Sequence, residues 1–178
     1  MVSKKRLEPP KARKKNKKIK VHGLVVNDDY SWLRDDNWQE VLRNPSILKP
    51  NIKIEPYQVV KIQLKSLMKN DNPTKDRGIE QTWEFAHPNN KKFTGPLDKF
   101  QIMLKGKSYS MLLNHKDHKI KEVFLSDKVA TFEVIILDTE KKYYKFKWQV
   151  EKYNKEGPLK DCWLTTAVSQ PVAIGSSI

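Results

Sequence analysis

The chain has 178 residues, a formal net charge of +14, a hydrophobic share of 38 % and 10 % aromatics. One domain plus an extension fits that length, and the apolar content suffices for a packed core, which excludes wholesale disorder. The longest strictly aliphatic run, Val134-Ile135-Ile136-Leu137, is far shorter than the ~20 apolar residues of a membrane span. A lone Cys162 excludes an internal disulfide framework and a cysteine-based zinc site. It fits a reducing compartment, the cytoplasm or an organelle interior. No apolar segment follows the basic N-terminus, so the expectation is that it is not a secretory signal.

Residues 1–20 carry ten Lys/Arg against Glu8, a net of +9. Self-repulsion and the lack of apolar area predict a mobile basic tail. Such a tail can attract nucleic acid or anionic lipid through counterion release. No aromatic side chains are interleaved with its charges, so a base-stacking platform is unsupported.

Residues 21–55 hold four basic and six acidic groups. Tyr30, Trp32, Leu33 and Trp38 are large apolar groups set between acidic pairs, Asn37 offers an N-cap, and Trp38 and Leu42 have helical spacing. Pro45 and Pro50 end any helix there. So short a segment cannot form a core alone, so it is expected to be an arm whose four apolar groups dock elsewhere. The run from His22-Gly23 through Asp28-Asp29-Tyr30-Ser31-Trp32-Leu33-Arg34-Asp35-Asp36 to about Lys53, with its Pro9-Pro10-Lys11 lead (residues 9–53 in all), resembles the opening of oligopeptidase B. That is a serine peptidase family of the prolyl-oligopeptidase type. Its catalytic Ser, Asp and His lie in a C-terminal hydrolase domain that this chain lacks. Gly106-Lys107-Ser108-Tyr109-Ser110 fails the final glycine of a nucleophile elbow. The resemblance implies no peptidase activity.

From Pro56 onward the pattern becomes that of a folded domain. Val60, Leu64, Leu67 and Met68 predict an amphipathic helix of roughly four turns, stopped by Asn70-Asp71-Asn72-Pro73. Ile79, Trp83 and Ala86 predict a second helix over 76–87. Leu97, Phe100, Met103 and Leu104 predict a third, from Pro96 to Gly106. The period then changes to two. Tyr109-Met111-Leu113, Val123-Leu125, Phe132-Val134-Ile136, Tyr144-Phe146-Trp148-Val150 and Cys162-Leu164-Thr166-Val168 predict about five antiparallel strands. Three helices followed by those strands make an α+β fold with helices over one sheet face. No dinucleotide or Walker phosphate loop is present.

That order resembles the nuclear transport factor 2-like (cystatin-like) superfamily, in which helices pack into the concave side of a curved antiparallel sheet to form a cone. Gly78-Ile79-Glu80-Gln81-Thr82-Trp83-Glu84-Phe85-Ala86-His87-Pro88, Phe93-Thr94-Gly95-Pro96-Leu97, Tyr109 to His115 and Cys162-Trp163-Leu164-Thr165-Thr166 resemble, more narrowly, a bacterial and plant family classed as a domain of unknown function. The resemblance spans residues 56–170. It implies a ligand pocket at the open end of the cone, and a homodimer through the outer sheet face.

Pocket candidates are Trp83, His87, Tyr109, His115 and Trp163. His115 shares the alternate face of Tyr109, Met111 and Leu113, so it is expected to face the helices, as a general base of lowered pKa or as a hydrogen-bonded structural group. His87 ends the second helix, where it could serve the helix C-terminal carbonyls. His115 and His118 straddle a turn with no further ligand at metal spacing, and neither a metal nor a cofactor is implied. Lys145, Lys147 and Gln149 form either a basic patch or a solvated outer face. Cys162 is expected to be a small buried hydrophobe.

The reading adopted is a non-catalytic ligand-binding or assembly domain of about 120 residues behind an arm of about 55, with a small ligand or a protein as partner. Three alternatives stay open. They are a small pocket enzyme using a histidine base, an oligopeptidase B-related fragment without catalytic residues, and a polyanion or nucleic-acid binder working through the tail.

Overall fold

The structure is a computed structural model that describes the backbone of residues 18–21 and 24–27 and the whole of residues 46–176. Contacts divide the chain into two units, Met1–Pro45 and Ser46–Ile178. In the first, β1 (Lys18–Val21) pairs antiparallel with β2 (Leu24–Asn27), Lys18 opposite Asn27 and Val21 opposite Leu24. Lys18 and Lys20 therefore belong to a strand and not to the mobile tail expected over 1–20. Residues 1–17 and the docking groups Tyr30, Trp32, Leu33 and Trp38 lie outside the described residues.

The second unit is an α+β domain with, among the described residues, four helices and a five-stranded antiparallel sheet. Helix α1 (Pro56–Met68) starts where its sequence signals it. Pro56 occupies the first turn, and Glu55 and Gln58 exchange capping-box hydrogen bonds. Its buried stripe is Val59, Val60, Gln63, Leu64 and Leu67. Helix α2 (Arg77–Glu84) crosses α1 at Gly78. There a Cβ would stand 2.2 Å from the Ser66 carbonyl oxygen and 2.8 Å from the Asn70 Cα, so glycine is required by close approach. Helix α3 (Pro88–Thr94) was not expected from the pattern. It buries no residue, so it has no apolar stripe to betray it, and the domain has four helices instead of the three expected. Helix α4 (Leu97–Lys105) buries Phe100 and Leu104.

The expected strand at Tyr109–Leu113 does not form. Ser110–Leu112 is a turn of 3₁₀ helix, with Leu112 N–H donating to Tyr109 and Leu113 N–H to Ser110. A 3₁₀ turn has about three residues per turn and groups i with i+3, so the alternation of Tyr109, Met111 and Leu113 marks no shared face there. The first sheet strand is instead β3 (Asp117–Leu125), a mostly exposed edge. It is followed by β4 (Val129–Leu137), β5 (Lys142–Lys152), β6 (Trp163–Val168) and β7 (Val172–Ser176). The order is β3-β4-β5-β6, with β7 also on β5. The eleven-residue β5 is long enough to pair its second half with β6 and its first half with β7. All five residues of β7 are exposed, so no alternation announced it.

The core gathers α1, Ile79, Phe85, Phe100, Leu104 and Leu112 with Phe132, Val134 and Ile136 of β4 and Phe146, Trp148 and Val150 of β5. Register explains the last six: Ala130 stands opposite Val150, Phe132 opposite Trp148, Val134 opposite Phe146 and Ile136 opposite Tyr144. Glu133 opposite Lys147 and Ile135 opposite Lys145 fall on the other face. Lys145 meets Glu133 at 3.5 Å, so that face mixes both signs and is not a purely basic patch.

Gly78→Ala has no room to relax, because the obstacles are backbone atoms of Ser66 and Asn70. It should lower stability by about 1–3 kcal/mol, the range for overpacking a well-filled site, read as a reduced midpoint in urea unfolding.

Candidate ligand cavity

A cavity of about 90 Å³ opens between the helices and the sheet. Leu67 of α1, Phe100, Met103 and Leu104 of α4, Leu112, and Trp148 and Val168 of the sheet supply its apolar lining. Gln63, Thr82, Asn90, Thr94, Tyr109 and Thr165 supply its polar points. A water needs roughly 10–15 Å³ of such space, so there is room for several waters or one small organic group.

The polar wall is built around Gln63, a buried amide in the middle of the apolar stripe of α1. Its Oε1 accepts from Thr165 Oγ1 at 2.6 Å and from Trp148 Nε1 at 3.1 Å, while its Nε2 donates to the Thr82 carbonyl at 3.0 Å. One side chain thus ties α1 to β6, β5 and α2. Thr82 Oγ1 donates to the Gly78 carbonyl at 2.8 Å. Thr165 anchors the segment after α2: its N–H donates to Phe85 and its carbonyl accepts from His87 N–H, both at 2.8 Å. Asn90 Nδ2 also reaches that carbonyl at 3.4 Å.

Of the five residues singled out from sequence, only Tyr109 lines this cavity. Its ring stacks on Phe146 with centroids 6.5 Å apart, its hydroxyl donates to the Val168 carbonyl at 3.4 Å, and burial pushes its phenol pKa up. Trp83 packs on Phe100 at 5.0 Å beneath the Lys91 ammonium. Trp163 is buried in the core, with Lys152 over its ring at 5.1 Å. His87 caps α3 and does not serve the C-terminus of α2: its Nδ1 accepts from Asn89 N–H at 3.1 Å, and its ring meets Tyr153 edge-on. A following proline at the first helical position fixes that role.

His115 is buried but does not line the cavity, since a 3₁₀ turn and not a strand shared with Tyr109 precedes it. Its Nδ1 lies 2.7 Å from the Leu112 carbonyl, which can only accept, so that nitrogen carries a proton. Its Nε2 lies 2.8 Å from His118 Nδ1, and in the neutral pair it accepts the His118 proton. Burial is the main force holding both imidazoles below their ordinary pKa. At His118 the charges of Lys65 and Lys61 add to it, and Asp117 opposes. No group of three or more His, Cys, Asp or Glu is gathered for a metal among the described residues. Cys162 is buried, its thiol pKa raised by burial and by Asp161. No helix among the described residues is long and apolar enough to cross a membrane.

Gln63, Thr82, Asn90 and Thr165 were missed from sequence. One signal existed, the glutamine at 63 interrupting the stripe Val60, Leu64, Leu67. The threonines and Asn90 carry no pattern of their own.

Gln63→Leu leaves the Thr165 hydroxyl and the Thr82 carbonyl without their partner and the Trp148 indole N–H with only its 3.4 Å contact to Thr165 Oγ1. Each buried orphan costs roughly 1–3 kcal/mol, so the added apolar surface should not rescue the variant, and its thermal midpoint should fall clearly. The histidine pair sets a pH dependence. Folded pKa values below the unfolded 6.5 mean that the unfolded chain binds more protons, so stability rises with pH through that window and falls as pH drops below 6.5. Urea midpoints from pH 8 to 5 should show that fall, and His118→Gln should flatten it.

No family model matches the chain, nor does any curated protein or solved structure.

Proposed function

We propose that residues 56–176 form a non-catalytic domain of the nuclear transport factor 2-like cone type that binds a small, neutral, largely apolar molecule in the cavity behind Gln63. The carrying observation is the chemistry of the lining: apolar walls with amide and hydroxyl groups and, among the described residues, no carboxylate, histidine or lysine. General acid–base chemistry needs a titratable group within hydrogen-bond reach of the substrate. Among the described residues Tyr109 is the only one lining the cavity, and burial keeps its phenol protonated at neutral pH. Small-ligand sites elsewhere combine apolar walls with a few fixed polar groups in this way.

The order of helices before sheet, and the resemblance of the segments Gly78–Pro88, Phe93–Leu97 and Cys162–Thr166 to a cone-forming family of unknown function, support the same reading. The pocket-enzyme alternative loses ground, since His87 and His115 are engaged with backbone groups outside the cavity. Residues Thr82, Trp148 and Thr165 hold the polar wall, and Met103, Leu104 and Tyr109 shape the cavity.

Methyl-resolved NMR of the full chain, titrated with a library of neutral fragments, tests this. Saturable shifts are expected at Leu67, Leu104, Leu112 and Val168, and Met103→Trp, which fills the space, should abolish them. Saturable binding confined to other methyls, or unaffected by Met103→Trp, would remove the cavity as the ligand site.

A further inference from the structure

The outer side of α1 carries a second, unrelated feature. A groove of about 660 Å³ runs between α1 and the preceding segment 48–54. Its walls include Leu48, Ile54, Tyr57 and Ile62, and Lys53, Lys61 and Lys65 stand along it. Tyr57, Lys61 and Lys65 follow each other at successive turns of the helix, opposite the stripe that packs into the core.

The groove is built before any partner arrives. Leu48 and Gln81 exchange two hydrogen bonds at 2.8 Å, Leu48 N–H donating to Gln81 Oε1 and Gln81 Nε2 donating to the Leu48 carbonyl. Lys49 pairs with Glu84 at 2.9 Å. Asn51 accepts from Lys53 N–H, and the Glu55–Gln58 capping box fixes where the segment turns into α1. The strap is therefore held on α2 at one end and on α1 at the other.

Its electrostatics are one-sided. Among the described residues no acidic side chain lines the groove, and Lys53, Lys61 and Lys65 have no ion-pair partner. The neighbouring acid, Glu55, is engaged in capping. Both Lys61 and Lys65 add to burial in lowering the His118 pKa, so their positive field reaches beyond their own side chains. Leu48 and Tyr57 are exposed at 45 % and 42 %, which leaves apolar surface uncovered beside those cations.

We propose that this groove is a docking surface for an acidic peptide segment bearing a bulky apolar side chain. The apolar side chain would lie on Leu48, Ile54, Tyr57 and Ile62, and flanking carboxylates would meet Lys53, Lys61 and Lys65. Amphipathic segments laid in a preformed groove follow this division of labour, with apolar anchors for affinity and charge for orientation. A nucleic acid fits less well. Among the described residues Tyr57 is the single aromatic lining the groove, and strand binding stacks successive bases on several.

The test is fluorescence anisotropy of the full chain with a short labelled peptide alternating glutamate pairs with leucine and tryptophan. Controls are the same peptide with lysine for glutamate, and a single-stranded RNA oligonucleotide. Saturable binding of the acidic peptide alone is expected. The exposed double variant Lys61→Glu/Lys65→Glu should stay folded and weaken it at least tenfold. Ile62→Ala should weaken it at low and high salt alike, since that contact is apolar. Equal binding of the RNA, no saturable binding of the acidic peptide, or binding unchanged in the folded double variant would overturn the proposal.

Discussion

The domain hangs on one buried amide. Gln63 sits where α1 faces the sheet, and its three hydrogen bonds run to Thr165, Trp148 and Thr82. Each partner lies on a different element, so the register of α1 against β5, β6 and α2 is fixed together. Apolar packing alone leaves a helix free to slide by small amounts at little cost, whereas buried polar groups penalise any arrangement that leaves them unpaired. The same bonds keep the cavity open: they hold the Gln63 and Thr165 side chains to one another at the wall, where a collapse would break them.

A second polar hub organises the far end of α1. Asn70 accepts from Gly78 N–H through its carbonyl and from Ile79 N–H through Oδ1, and its own N–H donates to Asn114 Oδ1. Asn114 Nδ2 in turn donates to Asp71, whose other oxygen takes Asp76 N–H. These bonds, led by the one from the Asp76 backbone, hold the Asp71 carboxyl below its usual pKa. What looks in sequence like a simple helix stop, Asn70-Asp71-Asn72-Pro73, is the joint that sets α2 across α1 and ties both to Asn114, just beyond the 3₁₀ turn. Asn114 adopts a positive φ of 55° there, a conformation asparagine tolerates better than most residues.

The two faces of α1 serve different chemistry. Inward it presents Val59, Val60, Leu64, Leu67 and Gln63, and outward Tyr57, Lys61 and Lys65. The cavity is neutral and enclosed by side chains, and the groove is open and cationic. Net charge blurs that distinction, since it counts all Lys and Arg alike while their effect depends on whether an acid stands nearby. Lys145 and Lys105 each have an acid within reach, whereas the three groove lysines have none among the described residues.

The α+β class, α1, α4, and strands β4 and β5 were legible in the sequence because each buries mainly one face, so burial writes a period of 3.6 or 2 into the chain, while β6, with Trp163, Leu164 and Thr165 all buried, was legible from its apolar run. Helix α3 and strand β7 were not, because neither buries a face, and the alternating pattern at Tyr109–Leu113 falls on a 3₁₀ turn, whose three-residue period sorts side chains differently. The candidate residues chosen by type, Trp83, His87, His115 and Trp163, proved to pack, cap or pair outside the cavity, and Tyr109 alone lines it. Which side chains converge on one space depends on contacts between residues such as Gln63 and Thr165, 102 positions apart, and no local periodicity encodes such a meeting. Local pattern by itself determined most of the elements; tertiary packing alone decided where the cavity lies, and which lysines stand without an acid beside them.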